Sequence, residues 1–448
     1  MRPGDRLPSS RSLMECHRVS PVTVSRALAL LAAEGLVVTR PGSGTYVAER
    51  PAATAPAEPA DFDWQAVALG DRTIAAAGVA GLLTPPPAGT IALSGGYLPV
   101  SLRPVRALAA ALARAARRPD AWDIPPLGGV AELRAWFARG VGGDVTPADV
   151  LITGGGQDGL TTVLRALLPP GGPVLVESPT YLGALAAIRA AGLHAVPVPF
   201  DRDGVRPDLL ADAFAVTGAR VFYCQPTFHN PTGAVLAAAR REQVLSVARA
   251  AGAFVVEDDF ARRLAIDPAP PPLAGQDGDG RVVHIASLTK ATAPSLRIAA
   301  VVARGPVAER IRASGLVNAF FPPRPLQEAA LELVSSPAWP RHLTALRAAL
   351  RRRRDALAAA LARDLPGFGA PPRPAGGPHL WLRLPDHVDD VAVAEAALRA
   401  GVLVGAGRPY YPAEPPGPRL RLTYGAVATE AELAEGVHRL AQALAKMV

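Results

Sequence analysis

Lysine is almost absent from this 448-residue chain: Lys and Arg together number 47, yet Lys stands only at Lys290 and Lys446. Cysteine is as scarce, with Cys16 and Cys224 alone. Two thiols exclude a disulfide scaffold and a zinc site built on cysteines, and no metal site is expected. Aromatic residues make up 5% and charged residues 19%, against 49% hydrophobic. That balance describes a packed globular chain and not a disordered one. No apolar run reaches membrane-spanning length and no leader-like pattern opens the chain. A soluble, cytoplasmic protein with no membrane partner is therefore expected. The net charge of +8 permits a polyanionic partner without requiring one. Two or three domains are expected at this length.

Where Arg serves for nearly every positive charge, a retained internal Lys points to a task that a guanidinium cannot perform. An amine that loses its proton forms an imine with an aldehyde; a guanidinium does not. Lys446 lies at the C-terminal end and reads as a solvated residue. Lys290 is internal, in Ser287-Leu288-Thr289-Lys290, with Arg297 further along the same stretch.

Residues 1–48 differ from the rest. Ser9 to His17 reads as a helix; Ser20 is an N-cap and Pro21 the first residue of a second helix that Gly35 closes. Leu36 to Arg40 and Thr45 to Ala48 are β-prone and flank Pro41-Gly42-Ser43-Gly44, a hairpin signal. Helix, turn, helix and hairpin make a winged helix-turn-helix. Residues 2–40 hold six Arg against Asp5, Glu15 and Glu34. Residues 49–88, rich in Ala and Pro, form a linker with a short helix expected within 61–81. Beyond residue 105, helical stretches alternate with apolar runs at 150–153, 174–177, 195–198, 221–224, 254–257, 282–286 and 298–303. This alternation predicts a mainly parallel sheet covered by helices, with ligands at the strand ends. A smaller α/β region is expected after residue 306, with a helix over 339–365 and strands over 379–384 and 420–424.

Several strand ends carry chemistry. Thr153-Gly154-Gly155-Gly156-Gln157 follows one run and opens a helix, so backbone amides can approach an anion. Glu177-Ser178-Pro179-Thr180-Tyr181 follows the next, and Tyr181 offers a flat π face. Gln225-Pro226-Thr227-Phe228-His229-Asn230-Pro231-Thr232-Gly233 follows a third. Glu257-Asp258-Asp259 puts acid at a fourth, with Asp259 expected to cap or face solvent. Ser287 and Arg297 suit a phosphate dianion.

In this order the motifs of residues 89–448 resemble the fold-type-I aminotransferases, which use pyridoxal 5'-phosphate (PLP). Residues 1–48 resemble the GntR winged helix, and the whole is similar to the MocR-type regulators. The resemblance implies an α/β module with a large domain at about 105–305 and a small one at 306–448. It implies PLP on Lys290, and the phosphate at Gly155, Gly156, Gln157, Ser287 and Arg297. It also implies Tyr181 on the ring, Asn230 at the phenolic oxygen, Asp258 at the pyridinium nitrogen, and Arg421 on a substrate or effector carboxylate. Arg419 is close enough to compete for that last role. For operator DNA it implies Arg11, Ser20, Thr23, Ser25, Arg26, Arg40 and Ser43. A homodimer is expected.

The chain departs from the family pattern in four places. Phe260 and Ile124 stand where tyrosines are usual, and Pro21 where an Arg is usual. The chain also opens at Arg2 to Pro8, a segment that normally follows a first helix. That helix is expected to be missing, either through an upstream start or through truncation. The leading expectation is an effector-responsive regulator that binds DNA and PLP, with an amino compound as effector. The second is a working aminotransferase with a vestigial winged helix, and the third a cofactor-free dimerisation scaffold. Lys290, Asp258, Asn230 and Arg297 oppose the third, and Phe260 and Ile124 the second.

Overall fold

The structure, a computed structural model, describes residues 1–49, 61–69, 77–369 and 373–446. It divides into two units, Met1–Thr73 and Ile74–Val448.

In the first unit, α1 (Ser10–His17) and α2 (Pro21–Ala33) are followed by the hairpin β1 (Val37–Arg40) and β2 (Gly44–Val47). The side chains of Ser9 and Ser20 accept the N–H groups of Ser12 and Thr23, and Pro21 opens α2 where no N–H is needed. Gly42 and Gly44 adopt positive φ at the turn, which an L side chain resists. The segment before α1 lies along β2: Gly4 N donates to Val47 O at 2.9 Å and Leu7 N to Thr45 O at 2.8 Å. Val24 and Val37 are the buried hydrophobic side chains among the described residues of this unit. A groove of about 410 Å³ runs past Met14, Pro21, Leu28, Ala29 and Ala32. A short helix α3 (Asp63–Leu69) completes the unit.

The second unit opens with α4 (Ala77–Leu83), β3 (Ile91–Ala92), α5 (Val105–Ala115) and α6 (Ala131–Val141). The alternating part follows: β4 (Val150–Thr153), α7 (Gly156–Leu167), β5 (Pro173–Ser178), α8 (Leu182–Ala190), β6 (His194–Asp201), β7 (Gly204–Val205), α9 (Pro207–Thr217), β8 (Val221–Cys224), α10 (Ala238–Ala250), β9 (Phe254–Asp259), β10 (Val282–Ser287) and β11 (Ala299–Val302). These strands form one eight-stranded sheet in the order β4-β11-β10-β9-β8-β5-β6-β7. It is parallel from β10 to β6, while β11 runs against both β10 and β4, and β7 against β6. Strand period divides the core between two faces. Val150, Ile152, Phe222 and Cys224 pack on one side; Leu151, Val221 and Tyr223 pack on the other. On α7, Leu160, Val163 and Leu164 are fully buried, each contributing about 1.5–3 kcal/mol.

The remaining part contains α11 (Pro306–Ala319), α12 (Arg324–Ser335), the long α13 (Ala338–Asp364), β12 (His379–Arg383), α14 (Asp390–Arg399), β13 (Val402–Leu403), β14 (Gly405–Ala406), β15 (Arg419–Thr423) and α15 (Glu430–Ala445). A small sheet β12-β15-β14 packs with α14, α15 packs on α13 and α14, and β13 pairs in parallel with β3. That pairing, with Thr423 N donating to Leu93 O at 2.7 Å, carries residues 91–96 across to the small sheet. No described helix is long and apolar enough to cross a membrane.

Candidate functional site

The C-terminal ends of β4, β5, β8, β9 and β10 all point to one edge of the large sheet, and each delivers a predicted motif. After β4, Gly155 sits at φ +107, and the Arg297 guanidinium fills the space a Cβ would need, with Cζ 2.6 Å from that position. Arg297 itself is held at φ 49. Its guanidinium has no hydrogen bond or carboxylate partner among the described residues. Ser287 stands at the end of β10, where its hydroxyl accepts Thr289 N at 3.2 Å. The Thr289 hydroxyl is buried without a partner. An unpaired guanidinium, the Ser287 side chain beside Gly156 and the N-terminus of α7 form a cradle for an anion. The Gln157 side chain is engaged elsewhere: it donates to Gly183 O at 2.8 Å and accepts the Tyr181 hydroxyl at 3.2 Å. Desolvation pushes the Tyr181 phenol well above its ordinary value, with the Asp258 carboxylate adding to it.

Asp258 is buried at the end of β9. Tyr223 donates its hydroxyl to Asp258 Oδ2 at 2.7 Å and Gln225 Nε2 donates to the same oxygen at 2.8 Å. Burial pushes the carboxyl above its ordinary range, and these two hydrogen bonds oppose it. Asn230 is reached from the small sheet: Arg421 Nη1 donates to Asn230 Oδ1 at 3.3 Å, which leaves the Asn230 NH₂ as its donor face. Arg421 also donates to the Ser94 carbonyl, and its Nε is buried without a partner.

Lys290 completes the group. Its Nζ donates to Gly96 O at 2.9 Å and lies 4.0 Å from the centroid of the Tyr97 ring. Loss of solvent brings its pKa down to about 8, with Arg421 and Arg297 contributing and Asp258 opposing. The structure thus gathers Gly155, Gly156, Gln157, Tyr181, Asn230, Asp258, Ser287, Lys290, Arg297 and Arg421 at one edge.

One expectation is corrected. Asp259 neither caps nor faces solvent; it is 1% exposed and paired with Arg262. It points to the other side of β9 with Glu257, which His284 Nδ1 meets at 2.9 Å. Phe260 is half-buried, and Ile124 is 73% exposed. Of Arg419 and Arg421, Arg421 is the one bonded to Asn230. Sequence reasoning missed Tyr223, Gln225 and Tyr97. Tyr223 lies inside an apolar run, and the contacts of Gln225 with Asp258 and of Tyr97 with Lys290 are long-range.

In the first unit Arg26 and Ser25 project from α2 and are exposed. Arg11 on α1 is exposed and ion-paired with Glu15 at 3.2 Å. Ser20 and Thr23 are spent partly on each other at 2.9 Å. At the wing, Arg40 stacks 5.0 Å above the Tyr46 ring, and the Ser43 and Tyr46 hydroxyls lie 2.7 Å apart. Arg6, which the sequence reading did not single out, lies against Gly44 beside the wing.

A parallel sheet whose strand ends carry a buried carboxylate, a poorly solvated lysine and an anion cradle defines a PLP-dependent enzyme fold of type I. Residues 90–440 match the family described as aminotransferase class I and II, and the chain belongs to that family. Residues 1–47 match the family of bacterial regulatory proteins, gntR family, which implies DNA binding. The two in this order are the architecture of the MocR-type regulators. The HTH-type transcriptional regulator TauR of Rhodobacter capsulatus is 30% identical over 99% of this chain and 93% of its own length. The 2-aminoadipate transaminase of Thermus thermophilus is 32% identical over 80% of this chain and 90% of its own. The crystal structure of LysN, an alpha-aminoadipate aminotransferase from Thermus thermophilus complexed with N-(5'-phosphopyridoxyl)-L-leucine, is 30% identical. It superposes with a TM-score of 0.78, covering 84% of this chain and 96% of that one. The cofactor of this fold is PLP, and the residues present fit it. The unpaired Arg297 beside Gly155 suits its phosphate, and the partnerless Nε of Arg421 suits a carboxylate.

Proposed function

We propose that this chain is a cytoplasmic, homodimeric transcription regulator of the MocR type. Its winged helix, ending near residue 48, binds an operator; its module from about residue 89 binds PLP and an amino-compound effector. The observation that supports the reading is a buried Lys290 within electrostatic reach of Asp258 and Arg421, in a chain that also bears a winged helix with exposed arginines.

When bound, the cofactor supplies an aldehyde that amines attack and a ring that takes up electron density. Lys290, with its pKa brought down to about 8, offers an amine that is in part unprotonated near neutral pH. Asp258 would hold a proton on the ring nitrogen, Asn230 would offer its NH₂ to the phenolic oxygen, and Tyr181 would supply a flat face for the ring. Arg297, Ser287 and the N-terminus of α7 would hold the phosphate. Arg421 would take the carboxylate of an amino-compound effector. The effector shifts DNA affinity only to the extent that it binds two arrangements of the protein unequally. Trp122, Ile124, Leu127 and Val100 are large apolar side chains left 60–78% exposed, which supports a second copy of the chain as the partner.

The test is a parallel screen of amino compounds, with 2-oxo acids as acceptors, following cofactor absorbance, operator affinity and product. The regulator reading expects changes in absorbance and affinity with little product. Sustained turnover on the order of 1 s⁻¹ or faster with unchanged DNA affinity would favour an aminotransferase instead.

A further inference from the structure

Gln225 opens the stretch that ends in Asn230-Pro231-Thr232-Gly233 but has no role assigned above, yet its side chain joins that stretch to Asp258. Its Oε1 accepts the Asn230 N–H at 3.1 Å and its Nε2 donates to Asp258 Oδ2 at 2.8 Å. The orientation of the carboxamide is determined by these partners. A carboxylate only accepts and an N–H only donates, so the flipped amide would lose both bonds. Its backbone is fixed as well. Gln225 N donates to Glu177 Oε2 at 2.8 Å, and His229 Nε2 lies 3.3 Å from the same oxygen. His229 is in turn stacked on Phe200 with centroids 4.5 Å apart. Gln225, Glu177 and His229 are each no more than 2% exposed, so solvent cannot replace any of these bonds at low cost.

We propose that Gln225 is a positioning residue: it locks the Asp258 carboxylate and the Asn230 loop into one rigid unit, so that the partner of the ring nitrogen and the partner of the phenolic oxygen are set at a fixed separation. Tyr223 acts with it. Both hydrogen bonds to Asp258 fall on Oδ2, which leaves Oδ1 as the oxygen for the ring nitrogen. Burial of Asp258 favours its neutral form, and two donors on one oxygen favour the ionised form that a pyridinium requires. The titratable groups that interact electrostatically with this carboxyl are Tyr181, Tyr223 and Lys290, and, from the other face of the sheet, Cys224, Asp259 and His284.

This inference rests on the assignment of Asp258 to the ring nitrogen, and the experiment separates the two. Full-length protein and its Gln225→Leu, Tyr223→Phe and Asp258→Ala variants are compared by equilibrium PLP affinity, by absorbance titration with pH after loading, and by melting of the PLP-free chain. The expected result for Gln225→Leu is a loss of PLP affinity of about tenfold or more and a shifted titration. Tyr223→Phe shifts the titration with the Asn230 loop left intact. Unchanged affinity and titration in Gln225→Leu, where Asp258→Ala abolishes tight binding, would overturn the positioning role alone. Unchanged binding in Asp258→Ala would overturn the site assignment and the inference with it. If Gln225→Leu does not fold, Tyr223→Phe decides, and an unshifted titration counts against the proposal.

Discussion

The guanidinium of Arg297 occupies the space beside Gly155 that any side chain there would need, its Cζ 2.6 Å from the position of a Cβ. The small residue and the large one are thus a single device. Gly155 adopts φ +107, which an L residue resists, and its bareness lets the cation reach the N-terminus of α7. Gly155→Ala is expected to push Arg297 out of the cradle and to cost about 1–3 kcal/mol in backbone strain. PLP affinity, measured by absorbance titration, should fall with it. Pyridoxal lacking the phosphate should bind the variant and the parent alike. Equal loss for both ligands would mean that Arg297 does not serve the phosphate.

Lys290 has a pH signature of its own. Its folded-state pKa is about 8, below the ordinary value of 10.5, so between these values the unfolded chain binds more protons than the folded one. Stability contributed by this group therefore rises with pH from about 8 toward 10.5 and is lowest, and flat, below 8. Replacing Lys290 with Met removes that slope. In the PLP-free protein the variant should be more stable than the parent at pH 7, by about 1–3 kcal/mol, with the gap closing as pH rises. Thermal melts across that range give the difference directly. A gap that widens with pH would contradict the burial of the amine.

Much of the site is legible in the sequence because each motif stands where a parallel strand ends, marked by an apolar run followed by Gly, Asn, Asp or Lys. Ser20 before Pro21, and Gly42 and Gly44 in the wing, are legible because cap and turn chemistry is local. Contacts made at long range are hidden. Gly96 and Lys290 are 194 residues apart, and Tyr223 and Asp258 are 35 apart. Tyr223 in particular reads as one more strand residue, because only the neighbouring strand reveals that its hydroxyl has a carboxylate to meet. Asp259 was misplaced because its burial depends on Arg262 folding back in the turn after β9. The reversed strand β11 also escapes an apolar-run reading, since direction leaves no mark on composition.

The two arginines of β15 separate by their partners. Arg421 is 1% exposed and bonded to Asn230 and the Ser94 carbonyl, while Arg419 is only partly buried. Arg421→Lys keeps a positive charge but loses the planar fork that matches a carboxylate. Affinity for a carboxylate-bearing effector should fall by about 10–100-fold, or ~1.4–2.8 kcal/mol, as read by calorimetry on PLP-loaded protein. A simple amine without a carboxylate should bind both forms equally. Arg419→Ala should leave effector affinity within about twofold of the parent. The reverse ranking would transfer the role to Arg419.

Arg26 and Arg11 are both exposed on the helices of the winged unit, but they differ in freedom. Arg11 is tied to Glu15 at 3.2 Å, whereas Arg26 has no ion pair or hydrogen bond among the described residues. A free guanidinium on α2, the second helix of the helix-turn-helix, would be able to meet a guanine edge with two hydrogen bonds. A pair already made must first be broken. Arg26→Ala is therefore expected to cost about 1–3 kcal/mol of operator affinity and to relax sequence preference at one position. Arg40→Ala at the wing should weaken operator and unrelated DNA alike and reduce the salt slope by about one unit. Arg11→Ala should cost less than Arg26→Ala. The measurement is fluorescence anisotropy of the full-length protein on operator and scrambled duplexes at several salt concentrations. Equal losses on both duplexes for Arg26→Ala would assign that residue to the phosphates and place sequence readout elsewhere on the unit.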